Sequence, residues 1–259
     1  MKKLNLLLVI LIGLTILSCS SDDNNDGDNN NPIETETFFK KSITYVNGIV
    51  EFTREIFYDS NNKVQSIISE EISFNRRTLQ IEYSNEAISA INEDVEYDNL
   101  PNFSQTYNVI IELNKIILTG SVDDRTIEIY HTDNYVDLTK VIQTSTSTIV
   151  FENIFLRNQN QNIISITDGN IIFTYSNFDS NKKNDPSGAS MTYEFDNFFK
   201  IFNIKVSKDN PLNSEYNQQG NTGTENIYLE YDNLDNVIRK SYEPNSTDNY
   251  TEHLYIELE

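Results

Sequence analysis

Apolar and polar side chains alternate one for one along much of this chain. Thr126-Ile127-Glu128-Ile129-Tyr130, Ile227-Tyr228-Leu229-Glu230-Tyr231 and Leu254-Tyr255-Ile256-Glu257-Leu258 each set one row against another of different character. That period of two is the signature of a half-buried β-strand. Val109-Ile110-Ile111-Glu112-Leu113, Ile116-Ile117-Leu118 and Ile171-Ile172-Phe173 are more uniformly apolar, which reads as strands covered on both faces. No segment sustains a 3.6-residue period over three capped turns, so little helix is expected. The pattern predicts an all-β fold: a long antiparallel meander of hairpins, curled into an open barrel or a two-layer sheet.

A recurring unit joins these strands. Tyr58-Asp59-Ser60-Asn61-Asn62-Lys63-Val64, Phe195-Asp196-Asn197-Phe198-Phe199-Lys200-Ile201 and Tyr231-Asp232-Asn233-Leu234-Asp235-Asn236-Val237 share one plan, and Tyr83-Ser84-Asn85-Glu86-Ala87-Ile88 is the same unit shortened. An aromatic ends one strand, an Asp/Asn-rich turn reverses the chain, and a β-branched residue opens the next. With only five prolines and eight glycines in the chain, Asn and Asp do the turn work, because both tolerate left-handed backbone and bond their own main chain. These units resemble the YD repeats of RHS-type proteins and, more closely, the β-meanders of uncharacterised Bacteroidetes lipoproteins. In that group Tyr175-Ser176-Asn177-Phe178-Asp179 has a counterpart followed by Lys-x-Asn-Pro, whereas here Asp185 separates Asn184 from Pro186. The resemblance implies a fold and a location, and no activity.

The first residues carry a different signal. Met1-Lys2-Lys3 is a short basic start, Leu4 to Leu17 is an apolar run, and Leu17-Ser18-Cys19 closes it. The run is too short for a membrane-spanning helix and fits a secretory signal. Leu17-Ser18-Cys19 resembles the lipobox of bacterial lipoproteins, which implies cleavage after residue 18 and diacylation of Cys19. Cys19 is the only cysteine, so no internal disulfide can form and stability must come from burial. Ser20-Ser21-Asp22-Asp23 resembles the stretch that sends such lipoproteins to the outer face of the outer membrane. The expected organisation is a signal peptide (1–18), an acylated Cys19 with an acidic tether (19–35) and one β-meander domain (36–259). Within the tether, Asp22, Asn24, Asp26 and Asp28 around Gly27 have calcium-loop spacing, but Ile33 stands where the bidentate Glu belongs and Glu34 is one place late. A solvated linker without a metal is the reading adopted.

Charge narrows the partners. Loss of residues 1–18 removes Lys2 and Lys3, leaving 17 basic against 40 acidic residues and a net charge of −23. Nucleic-acid binding, which needs cations to replace phosphate counterions, is excluded. Motif chemistry is sparse. His131 and His253 are the only histidines, far apart in sequence and read as solvated strand residues. No G-x-S-x-G elbow or phosphate-binding glycine loop occurs. Acidic pairs such as Glu70-Glu71, Glu93-Asp94 and Asp123-Asp124 point to opposite faces along a strand and read mostly as solvated charges. The small basic islands Lys40-Lys41 and Arg76-Arg77 have acids nearby to pair with.

No catalytic residue, cofactor or metal site is assigned, and Cys19, as the point of lipid attachment, is the one site residue. The expected function is a surface lipoprotein, tethered to the membrane, that binds a glycan, peptide or protein ligand without catalysis. An exposed row of Tyr228, Tyr231 and Tyr255 would favour glycan stacking. Two carboxylates converging in a concave pocket would favour the alternative of a carboxylate-based hydrolase. A surface with neither would favour a structural envelope component.

Overall fold

A computed structural model describes residues 37–71, 75–180, 182–185 and 195–258. Cys19, its signal peptide and the acidic tether lie outside the described residues. The strands are β1 (Thr37–Val46), β2 (Ile49–Tyr58), β3 (Val64–Glu71), β4 (Asn75–Ser84), β5 (Ala87–Tyr97), β6 (Phe103–Glu112), β7 (Lys115–Gly120), β8 (Arg125–Thr132) and β9 (Tyr135–Gln143). They continue through β10 (Thr148–Arg157), β11 (Ile163–Thr167), β12 (Ile171–Asp179), β13 (Asn210–Gln218), β14 (Asn221–Asn226), β15 (Tyr228–Tyr231), β16 (Val237–Ser241) and β17 (Tyr250–Glu257). One helix, α1 (Asp196–Ile201), stands between β12 and β13.

All described strands belong to one 17-stranded sheet. Consecutive strands pair antiparallel from β1 through β14, and β15 pairs with β16 and β16 with β17. The last strand returns to the first, with Phe39 opposite Tyr255 and Ser42 opposite His253. Only Ile227 separates β14, which pairs back to β13, from β15, which pairs forward to β16. The expected meander is therefore a nearly closed barrel, in which the pairing of β17 with β1 covers two strand edges that would otherwise invite aggregation.

The turns explain how one composition makes so many hairpins. Asp59 Oδ1 accepts hydrogen bonds from the amides of Asn61 and Lys63, and Asn62 takes a φ of 61°. Asp232 repeats this with Leu234 and Asn236, and Asp235 sits at 63°. Asn158 makes the same turn with Asn160 and Asn162, although no aromatic precedes it. The shortened unit reverses through Asn85 and Glu86, both at positive φ, the backbone of a two-residue hairpin turn.

The Phe195 unit departs from the plan. Here the chain forms α1 in place of a hairpin, because Phe198 and Phe199 occupy positions that a solvated turn gives to polar residues. Asp196 bonds the Arg54 guanidinium at 2.8 Å and Lys200 lies 3.8 Å from it. The ring of Phe195 stacks on Phe151 of β10, Phe198 meets Tyr107 of β6 edge-on, and Asn197 reaches Ser69 of β3. Partners on strands that far apart around the ring place α1 inside the barrel. It completes a core with Leu79, Ile91, Leu118, Ile129 and Ile166, all fully buried. Each such side chain contributes about 1.5–3 kcal/mol.

The outer face is polar along the neighbouring strands. Glu82 accepts from Asn92, Asn92 from Thr106, and Asp94 from Ser104. Lys115 pairs with Glu128 and Lys140 with Glu152. This part of the wall differs from the apolar outside of a membrane-spanning barrel, whereas Ile154, Leu156 and Ile164 of β10 and β11 are exposed. The uniformly apolar strands are not covered on both faces: Ile110 and Ile172 are 54% and 45% exposed. A single-walled barrel has only one interior, so the second row of such a strand faces outward.

Candidate functional site

Two cavities flank α1. The first, of about 270 Å³, is mainly apolar and touches Phe39, Ile56, Tyr175 and Phe199. Its charged wall holds Asp185 and Lys240, 2.8 Å apart and both nearly enclosed. His253 Nε2 lies 3.1 Å from the other Asp185 oxygen, off the line of a good hydrogen bond. Burial alone would push the Asp185 carboxyl up, but Lys240 and His253 together hold it well below the usual range. Burial outweighs Asp196 at Lys200 and leaves that amine below its ordinary value. His253 is 4% exposed, so it is a buried partner of Asp185 and not the solvated residue expected from its strand. Among the described residues no group of His, Cys, Asp and Glu could hold a metal ion.

The second cavity, of about 500 Å³, is polar and opens between β2 and β8. Strand alternation builds it. Arg77, Glu93, Gln105 and Tyr107 fall on inward positions of β4, β5 and β6, whereas Asp94 and Ser104 fall outward. Arg77 Nε donates to Glu93 Oε1 at 2.5 Å, and the Tyr107 hydroxyl donates to Glu93 Oε2 at 2.9 Å. Gln105 Nε2 lies 2.8 Å from Glu93 Oε2, 2.7 Å from the Tyr107 oxygen and 3.2 Å from Asp123 Oδ2. Burial and then the Glu93 charge raise the Tyr107 hydroxyl far above the ordinary tyrosine value. Burial also pushes the Asp123 carboxyl up, against Gln105 and Arg125, which favour its charged form.

Three oxygens of residues that line this pocket are enclosed, with almost no exposed surface and no hydrogen-bond partner: Gln105 Oε1, Asp123 Oδ1 and Asn197 Oδ1. A buried acceptor left unmet costs about 1–3 kcal/mol. Gly120 makes room for two of them, since a methyl group on its Cα would run into both Asp123 Oδ1 and Gln105 Oε1. Tyr97 and Phe103 add aromatic surface at the lining.

Glu93-Asp94 therefore splits as strand alternation requires, while Asp123-Asp124 lies in the turn between β7 and β8. Glu93 is 5% exposed and, with Asp123, belongs to the pocket. The two carboxylates meet the same Gln105 nitrogen, and both oxygens of Glu93 are already engaged by Arg77, Gln105 and Tyr107. The basic islands pair as expected, Lys40 and Lys41 with Glu55, Arg76 with Glu70 and Arg77 with Glu93. Tyr228, Tyr231 and Tyr255 form no open row. Tyr228 is exposed, Lys182 covers the Tyr231 ring, and the half-buried Tyr255 donates to the Val237 carbonyl. Gln105 and Asn197 carried no sequence signal, being amides without a motif.

No protein-family model matches this chain, and no curated protein does. Solved structures do. A porin-like protein from Bacteroides vulgatus ATCC 8482 is 10% identical, with a TM-score of 0.41 over 85% of this chain and 99% of that one. A porin-like protein from Bacteroides uniformis ATCC 8492 is 8% identical, with a TM-score of 0.40 over 84% and 98%. These likenesses are too distant to assign a family or an activity.

Proposed function

We propose that this chain is an outer-membrane lipoprotein, held by acylated Cys19 and facing the cell exterior, whose barrel binds a small polar ligand in the pocket between β2 and β8. The observation that carries the binding role is the cavity of about 500 Å³ whose wall gathers Arg77, Glu93, Gln105, Tyr107 and Asp123, with three acceptors of its lining residues left without a partner. Structural polar groups are normally paired when buried. Groups kept unpaired in one place sacrifice stability for recognition.

Glu93 is not placed to act as a nucleophile, because Arg77, Gln105 and Tyr107 already engage both of its oxygens. The role is not conduction, because Phe195 and Phe198 of α1 fill the lumen. The anchor rests on the resemblance of Leu17-Ser18-Cys19 to a lipobox and would hold the barrel at a membrane.

Asn197→Leu tests the pocket. Its amide makes only a 3.4 Å contact to Ser69, so an apolar side chain of similar size relieves the unmet acceptor. The melting temperature should rise by about 2–4 °C, the equivalent of about 1 kcal/mol. A fall of several degrees would mean that Asn197 serves the fold, and would count against the proposal.

A further inference from the structure

We infer that the apolar cavity of about 270 Å³ beside α1 takes an amphiphile with a hydrocarbon part of about ten carbons. Its polar end stays at the mouth, beside Asn203 and Lys205. This site is separate from the β2–β8 pocket and does not rest on it.

The hydrocarbon follows from the lining and the size. Phe39, Ile56, Tyr175, Phe199, Ile204 and Leu229 surround the space, and they come from β1, β2, β12, α1, the loop after it and β15. Such a cavity suits carbon better than water, because an enclosed water needs two to four polar partners. About 150 Å³ of apolar space holds the six carbons of a benzene ring. In proportion, this cavity has room for about ten or eleven carbons.

Charge keeps ionic groups out of the interior. Three acids line the cavity, and each already has a partner: Asp185 meets Lys240 at 2.8 Å, Asp196 meets Arg54 at 2.8 Å, and Asp209 accepts from the Asn162 amide at 2.9 Å. Lys200 lies 3.8 Å from Asp196. Asp185, Asp196 and Asp209 are thus balanced by Arg54, Lys200 and Lys240, which leaves no net charge for a buried ion of either sign to answer. An ion placed inside would lose its water and gain too little in return.

The mouth is different. Asn203 and Lys205 are the exposed members of the lining, so the cavity opens at the loop that follows α1. A polar head held there keeps its water, while each methylene behind it leaves water and adds to affinity.

Equilibrium dialysis of the full-length chain tests this, in a steroid-based zwitterionic detergent without a long alkyl tail and with detergent alone as the blank. The probes are decanoate and 2-naphthoate, with hexanoate and benzoate as their smaller counterparts. At least one of the larger acids should bind above the blank. Its smaller counterpart should bind more weakly by about tenfold or more, because less hydrocarbon is buried. Val206 and Leu229 line the cavity from half-buried positions, so an added ring at either takes up its space. Val206→Phe and Leu229→Phe should each weaken uptake by about tenfold or more, and two variants keep the test decisive if one fails to fold.

Uptake of neither larger acid would overturn the inference. So would uptake that the smaller acids match, or that the folded variants leave unchanged, since both mark general partition onto exposed apolar surface. None of these outcomes bears on the β2–β8 pocket.

Discussion

Asp185 is the residue whose surroundings make the sharpest quantitative claim. It is enclosed, paired with Lys240 at 2.8 Å and near His253, and its folded carboxyl lies well below the ordinary value. A depressed folded pKa stabilises the protein fully above the unfolded value, near 3.9. That contribution is lost as pH falls toward the folded value. Asp185→Asn leaves Lys240 buried without its carboxylate, so urea denaturation at pH 7 should show a loss of about 3–5 kcal/mol. The gap between parent and variant should narrow steadily below about pH 4, as Asp185 of the unfolded parent takes up a proton while the folded carboxyl stays charged. A constant gap from pH 7 to pH 2.5 would contradict the assigned pairing. Little of this was legible beforehand. Asp185 appeared only as an interruption between Asn184 and Pro186, and His253 as one polar residue in an alternating strand. Their meeting depends on β17 closing against β1 and β16, which brings together groups that no local spacing relates.

At the scale of elements, α1 is the part that periodicity could not deliver. It spans only Asp196–Ile201 and all but Lys200 of it is buried, so it has no amphipathic stripe to detect. Its sequence mimics the hairpin unit up to Asn197, and only the two phenylalanines that follow distinguish it. The turns were far more legible, because their mechanism is local: a carboxylate or amide oxygen at the first loop position accepts two nearby amides. Asp59 and Asp232 behave as their repeat implies, and Asn158 shows that the flanking aromatic is dispensable. If α1 is the core's centre, truncating it should be costly. Phe198 is fully buried against Tyr107 at 5.7 Å. Phe198→Ala should lose about 3–5 kcal/mol in chemical denaturation, the range for large buried aromatics. A loss below about 1 kcal/mol would mean that α1 sits loosely and does not fill the lumen.

For the whole molecule, closure is the organising fact. Alternation along each strand foretold which row of side chains would be buried, and a meander of hairpins foretold which strands would pair. Neither decided between a barrel and a two-layer sheet, because that choice rests on the β1–β17 ladder between the two ends of the domain. Deleting residues 253–259 removes most of that ladder and the His253 contact. The melting temperature should fall by about 10 °C or more, as expected for several kcal/mol in a chain of this size, and an unchanged value would show that closure contributes nothing. The same closure sets an apolar interior against an outside where Glu82, Asn92, Asp94 and Glu128 stand on the wall. On the proposal that Cys19 is acylated, membrane attachment falls to that one thiol.

Detergent phase partitioning measures this directly, comparing the full-length protein made in a bacterium that acylates lipoproteins with a chain beginning at Ser20. The full-length protein should enter the detergent phase, while the shorter chain remains in the aqueous phase with a β-rich circular dichroism spectrum. A shorter chain that still follows the detergent, or that folds only when detergent is present, would contradict a tethered, water-faced barrel.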